Sequence, residues 1–216
     1  MPRRFPPRDG IDSRLAAAGL CIAAVVVLLT IAIVNPPLGK RLVSEDGVVE
    51  WLQVVLAAAT GVLAFRQGRA ARRAGEPATL EVAIVATMVI ICIGEVDLDR
   101  VFFGTKVIST KFFVNPKHWI VARVLAVLVV VGAPVALGIW LLVHFRQLWR
   151  AGMAGLRQPW GQVAAFGMVL FLAVEVFERP LGRIRSLPPY FAEETLELLA
   201  TLCMFVGIAA RSWRSR

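Results

Sequence analysis

The chain has 216 residues, 58% of them hydrophobic, with a mean hydropathy of +0.71 and a formal charge of +9. Soluble domains carry about 45–50% apolar residues even when glycine is counted, so this composition fits lipid as the solvent and excludes an ordinary water-soluble fold. The positive charge does not indicate nucleic acid as a partner, because basic residues beside apolar runs of membrane length record topology.

In chain order, residues 1–14 form a basic tail with Arg3, Arg4, Arg8 and Arg14 among prolines. Residues 15–34 are an apolar run of about the 20 residues a bilayer crossing needs. The run is longer than a signal-peptide core and has no small-residue cleavage site before Asn35-Pro36-Pro37, so it reads as a retained span. A second span covers residues 48–65, started by Ser44-Glu45-Asp46 and stopped by Arg66, Arg69, Arg72 and Arg73. Spans three to six cover residues 79–98, 119–145, 161–177 and 191–210, the fourth long enough to require tilt or a kink at Pro134. Residues 211–216 are a second basic tail. The expected fold is an all-α polytopic membrane bundle of six transmembrane helices over residues 15–210, with no separate soluble domain.

Charge sets the expected orientation. With the N-terminus inside, the two tails and the loops at residues 66–73 and 146–157 carry fourteen arginines, against four acids on that side, Asp9, Asp12, Glu76 and Glu81. The outer segments carry nine basic groups against eleven acids, with Arg123 just inside span four. That is the positive-inside asymmetry, and it places both termini in the cytoplasm of a cell whose inner (plasma) membrane holds the chain. Trp51 and Trp119 at outer ends, and Trp149, Trp160 and Trp213 at inner ends, fit an aromatic belt.

The same topology gathers acids at the outer rim. Glu50 lies on span two, Glu95, Asp97 and Asp99 at the end of span three, Glu175 and Glu178 on span five, and Glu193, Glu194 and Glu197 on span six. At 1.5 Å per residue Glu197 lies roughly 9 Å below the outer edge, where a carboxylate is costly and must face the bundle interior with a partner. Glu175 and Arg179 stand four apart and attract, whereas Glu193 and Glu197, or Glu95 and Asp99, repel unless a cation lies between them. Arg100, Arg123, Lys106, Lys111 and the run Arg179, Arg183 and Arg185 are the candidate cations, Arg123 being best placed to offer a bidentate fork to a buried carboxylate. The binding set is thus Glu50, Asp99, Arg100, Arg123, Glu175, Arg179 and Glu194, and the candidate acid–base groups are Glu95, Asp97, Glu197 and His118. An ion-pair network holding the helices in register explains the same residues.

Residues 101–117 combine phenylalanines with Lys106, Lys111 and Lys117 and read as an interfacial loop, or a lid over the acids. Arg179, Arg183 and Arg185 in the fifth loop suit a phosphate. His118 stands at the outer mouth of span four, and His144 is expected to cap the inner end of its helix. With two histidines, neither haem nor zinc is expected; oxygen ligands such as Glu95 and Asp99 suit Mg²⁺ or Ca²⁺. Cys21, Cys92 and Cys203 lie in three different apolar runs with no paired spacing, which argues against a disulfide framework.

The segment Glu95-Val96-Asp97-Leu98-Asp99-Arg100, with Phe112-Phe113 and Glu193-Glu194-Thr195-Leu196-Glu197-Leu198-Leu199, resembles a pattern in small multi-pass membrane proteins of bacteria. Glu95 and Asp97 match an acidic pair after a span, and Asp99 stands where a histidine is more usual. The resemblance implies a membrane location and no activity, and the departure at Asp99 weakens a metal role there.

Three functions are compatible with this reading. The first is a binding or assembly subunit of a membrane or envelope system, its basic inner loops meeting anionic lipid or another membrane protein. The second is an enzyme acting on a lipid or polyprenyl head group at the outer leaflet. The third is a proton-coupled transporter gated by Glu197 or Glu175, against which stands the scarcity of polar groups below the rim, where Gln53, Glu81 and Gln162 are the exceptions.

Overall fold

In a computed structural model of the chain, residues 12–43, 47–95, 120, 121, 124, 128, 132–181 and 187–214 are described. Among them are eight α-helices and no strand: α1 (Ser13–Val34), α2 (Pro36–Leu42), α3 (Val48–Arg73), α4 (Thr79–Glu95), α5 (Ala133–Val143), α6 (Phe145–Leu156), α7 (Pro159–Leu181) and α8 (Leu187–Arg214). Ser13–Val34, Val48–Arg73 and Phe191–Trp213 are long and apolar enough to cross a membrane. Thr79–Ile93, Ala133–Val143 and Pro159–Val174 are shorter apolar helices. The chain is therefore all-helical and of membrane character.

Several boundaries differ from the expected ones for local reasons. Asn35 closes α1 with its backbone N–H on the Ile31 oxygen and opens α2 by accepting from Leu38 N–H, so the Pro36-Pro37 stretch continues as a short helix. The arginines expected to end the second span lie within α3, which runs on to Arg73. There Glu76 N–H reaches Ala71 O at 2.9 Å and Gly75 N–H reaches Arg72 O at 3.1 Å, with Gly75 at φ +73°; this is a Schellman stop. His144 is the C-cap of α5, as expected, its Nδ1 2.9 Å from Trp140 O and its ring 4.6 Å from the Trp140 ring. Pro134 stands in the first turn of α5, a position where its missing backbone N–H is tolerated.

Residues 146–157, expected as a loop, are almost entirely helix α6. Its exposed Phe145, Trp149, Met153 and Leu156 recur at helical spacing, with Arg146 and Arg150 between them. Such a face suits the membrane interface, apolar rings in the acyl boundary and guanidinium groups at the head groups.

The chain divides into two compact units, one of residues up to Leu56 together with those from Ala154 onward, the other of Ala57–Met153. In the first, Leu28 of α1, Val43, Val49 of α3 and Leu198 of α8 form one core cluster; Ala17 of α1, Val163 of α7, Cys203 and Val206 of α8 form another. Ala17 meets the late part of α8 and Leu28 its earlier part, so α1 and α8 run antiparallel. The pair α7 and α8 packs with its backbones in close approach. A Cβ on Gly167 would lie 2.5 Å from Ala200 O, and one on Gly207 would lie 2.7 Å from Trp160 O. Small residues let helix backbones meet where lipid provides no hydrophobic drive between them. In the second unit, Gly61 faces Met88 and Gly68 faces Glu81, an antiparallel packing of α3 on α4, and Thr79 Oγ1 donates to Gln147 Oε1 at 3.0 Å.

Among the described residues many large apolar side chains are exposed while several polar ones are fully buried. The most completely buried large side chains are Gln53, Thr60 and Thr201, while Ile22, Val55, Val62, Ile139, Phe166 and Val169 are more than half exposed. Lipid as solvent produces this arrangement, with apolar side chains outward and polar ones against other helices.

Candidate functional site

The acids that the sequence places at the outer rim divide by how they are held. Glu50 stands in the first turn of α3, where a carboxylate meets the positive end of the helix dipole, and is half-buried. One turn on, Gln53 is fully buried and donates from Nε2 to the backbone oxygen of Glu194 on α8 at 3.3 Å. This bond brings the α3 segment carrying Glu50 to the α8 segment carrying Glu193, Glu194 and Glu197, all half-buried. None of these four glutamates is without an interaction partner. Gln53 Oε1, by contrast, is buried with no hydrogen-bond partner.

Two hydroxyls in the same stretch of α8 are satisfied within the helix. Thr195 Oγ1 donates to Phe191 O at 2.7 Å, and Thr201 Oγ1 donates to Glu197 O at 2.9 Å, each back-bonding one turn within the helix. Apolar side chains are interleaved with these acids: Val49, beside Glu50, packs with Leu198, Leu56 and Phe191. Carboxylates set among an apolar cluster can fasten helices through charge or hold a cationic group.

The other expected site residues are only partly described. Glu95 is the last residue of α4, and Glu175 and Arg179 lie one turn apart in the unbroken helix α7. Asp97, Asp99, Arg100, His118 and Arg123 lie outside the described residues, as do the loop at residues 101–117 and Arg183 and Arg185. Among the described residues no group of three or more His, Cys, Asp or Glu side chains is arranged to hold a metal ion.

Two constellations escaped the sequence reading. At the end of the first unit where α1 begins and α8 finishes, the Arg14 guanidinium donates to Gln162 Oε1, Gln162 Nε2 donates to Leu156 O at 2.9 Å, and Arg211 lies 4.8 Å from the Trp160 ring centroid. Gln162 was legible as a polar exception in an apolar span; its partner 148 residues away was not. Higher up, α1 and α8 place Cys21 Sγ 3.5 Å from Cys203 Sγ. No linear spacing announces a thiol pair separated by 182 residues.

Compared with protein-family models, with curated proteins and with solved structures, the chain shows no significant match in any of the three.

Proposed function

We propose that the protein is an integral, multi-pass binding or assembly subunit of the inner (plasma) membrane, with six crossings and both termini cytoplasmic. Its outward carboxylates and arginines fasten helices to one another, and its inner basic surface meets anionic lipid or another membrane protein. The observation that carries this reading is the Gln53–Glu194 bond between α3 and α8, set among glutamates that all have partners. A reactive centre is built on the opposite principle, with carboxylates held ready for substrate in a water-excluding pocket. Glu175 and Arg179, one turn apart on α7, extend the fastening role by an i,i+4 pair. The apolar-and-basic face of α6 supports the lipid contact on the inner side.

The test is a carboxylate-to-alanine scan over Glu50, Glu95, Asp97, Glu175, Glu194 and Glu197, with folding read by size-exclusion profile and activity or phenotype read separately. Loss of the monodisperse folded species at most positions supports the subunit. Intact folding with a lost phenotype at Glu95, Asp97 and Glu197 would favour a head-group enzyme with a bound Mg²⁺ or Ca²⁺ instead.

A further inference from the structure

Three features of the described residues remain outside the proposed function: the buried Ser13 hydroxyl at the start of α1, the buried Glu81 beneath Gly68, and the thiol pair Cys21 and Cys203. The pair carries the argument furthest, because two reactive groups of one kind meet from helices at opposite ends of the chain.

We infer that Cys21 and Cys203 are an oxidisable dithiol that locks α1 to α8 through an intramembrane disulfide. Their sulfurs stand 3.5 Å apart. A disulfide needs about 2.05 Å, so roughly 1.5 Å of approach closes the bond, within reach of side-chain rotation and a small helix shift. Cys21 and Cys203 pack in the same cluster as Ala16, Ala17 and Val206, where small side chains keep the two helices near each other. A cysteine in an apolar environment serves as a small hydrophobe by default. That role accounts for Cys21 and Cys203 separately and leaves their contact without a purpose.

The lock has something to secure. Of the 22 residues of α1, only Ser13, Ala17 and Leu28 are buried, so its hold on the rest of the first unit is thin. A covalent bond at Cys21 turns that docking into a permanent one.

The apolar surroundings select the oxidant. Thiol–disulfide exchange needs a thiolate, which lipid disfavours. A lipid-dissolved quinone fits instead: two S–H bonds break, one S–S bond forms, and the two electrons and two protons pass to the quinone oxygens, giving one hydroquinone. Once the chain is denatured and the disulfide reaches water, a dithiol reduces it back to two thiols.

The experiment uses the full chain in liposomes, treated with duroquinone, whose ring carbons all carry methyl groups and resist thiol addition. The protein is then denatured and labelled with polyethylene-glycol maleimide. All three cysteines are thiols before treatment. The expected result is a fall from three labels per chain to one, restored to three by dithiothreitol, with a peptide joining Cys21 to Cys203 found by mass spectrometry. Cys21→Ser and Cys203→Ser chains keep both of their remaining labels under the same treatment. Three labels retained by the unmutated chain, or a linkage that runs through Cys92 or between two chains, overturns the inference. Because the unmutated chain decides the outcome, poor folding of either variant does not obscure it.

Discussion

Gln53 on α3 donates from Nε2 to the backbone oxygen of Glu194 on α8 while its own Oε1, equally buried, has no hydrogen-bond partner. Half of the amide is thus used and half is left at a cost. The bond is a long one at 3.3 Å, and the Glu194 oxygen it reaches lies inside a continuous helix. Gln53→Ala removes the tie and leaves a cavity, for an expected loss of about 2 kcal/mol. Gln53→Met fills the same space and discards the unpartnered oxygen, so it is expected to cost less than the alanine. Thermal melting of the purified chain compares the two; an alanine no worse than the methionine removes Gln53 from its fastening role.

The contact between α7 and α8 depends on the absence of side chains. Gly167→Val would press a branched group into Ala200 O and Met204, with an expected cost of about 3 kcal/mol or failure to fold. Gly19 in α1 has nothing within 4 Å of a built Cβ, so Gly19→Ala is expected to be neutral or to stabilise by about 0.5–1 kcal/mol through helix propensity. Chemical denaturation of both variants in one detergent makes the comparison, and equal effects would contradict the packing described.

Gly75 ends α3 at φ +73° with open space around its Cα. A Cβ there meets no neighbour, so the cost of Gly75→Ala is purely conformational, about 1 kcal/mol. The size of the loss, read from the same denaturation curves, separates backbone strain from packing.

The proposed topology is read by reporter fusions. Alkaline phosphatase joined after Lys40 or Lys106 is expected to be active, and joined after Arg69, Gln158 or Arg216 inactive. Activity after Arg216 would put the C-terminus outside and break the six-crossing arrangement.

The all-helical membrane character was legible in the sequence because hydropathy over some twenty residues is a strong signal that lipid enforces at every position. Helix ends were less legible. The arginines at 66–73 suggested a stop, but a helix leaving the bilayer keeps its backbone bonds, and α3 ends only where Gly75 allows a left-handed turn. Helix α6 was missed because its apolar residues are spread over one face, giving no continuous run for hydropathy to register. That Glu50, Glu194 and Glu197 share one helix end was an expectation of the topology, whereas the residue that ties α3 to α8 there was not: Gln53 read as a polar exception in an apolar span. The contact between Cys21 and Cys203 lay further out of reach, since helix pairing across 182 residues leaves no local trace.

The most direct measurement is the melting temperature of the Glu197→Gln chain in lipid nanodiscs beside the unmutated chain. Glu197 is half-buried and partnered, and its carbonyl holds the Thr201 hydroxyl. If the rim fastens helices, neutralising one of its charges lowers the melting temperature by several degrees, corresponding to about 1–3 kcal/mol. Residues kept for catalysis or ligand binding are held at the expense of stability, so their neutralisation leaves melting unchanged or raises it. A Glu197→Gln chain that melts at or above the unmutated temperature would contradict the fastening role at the centre of this account.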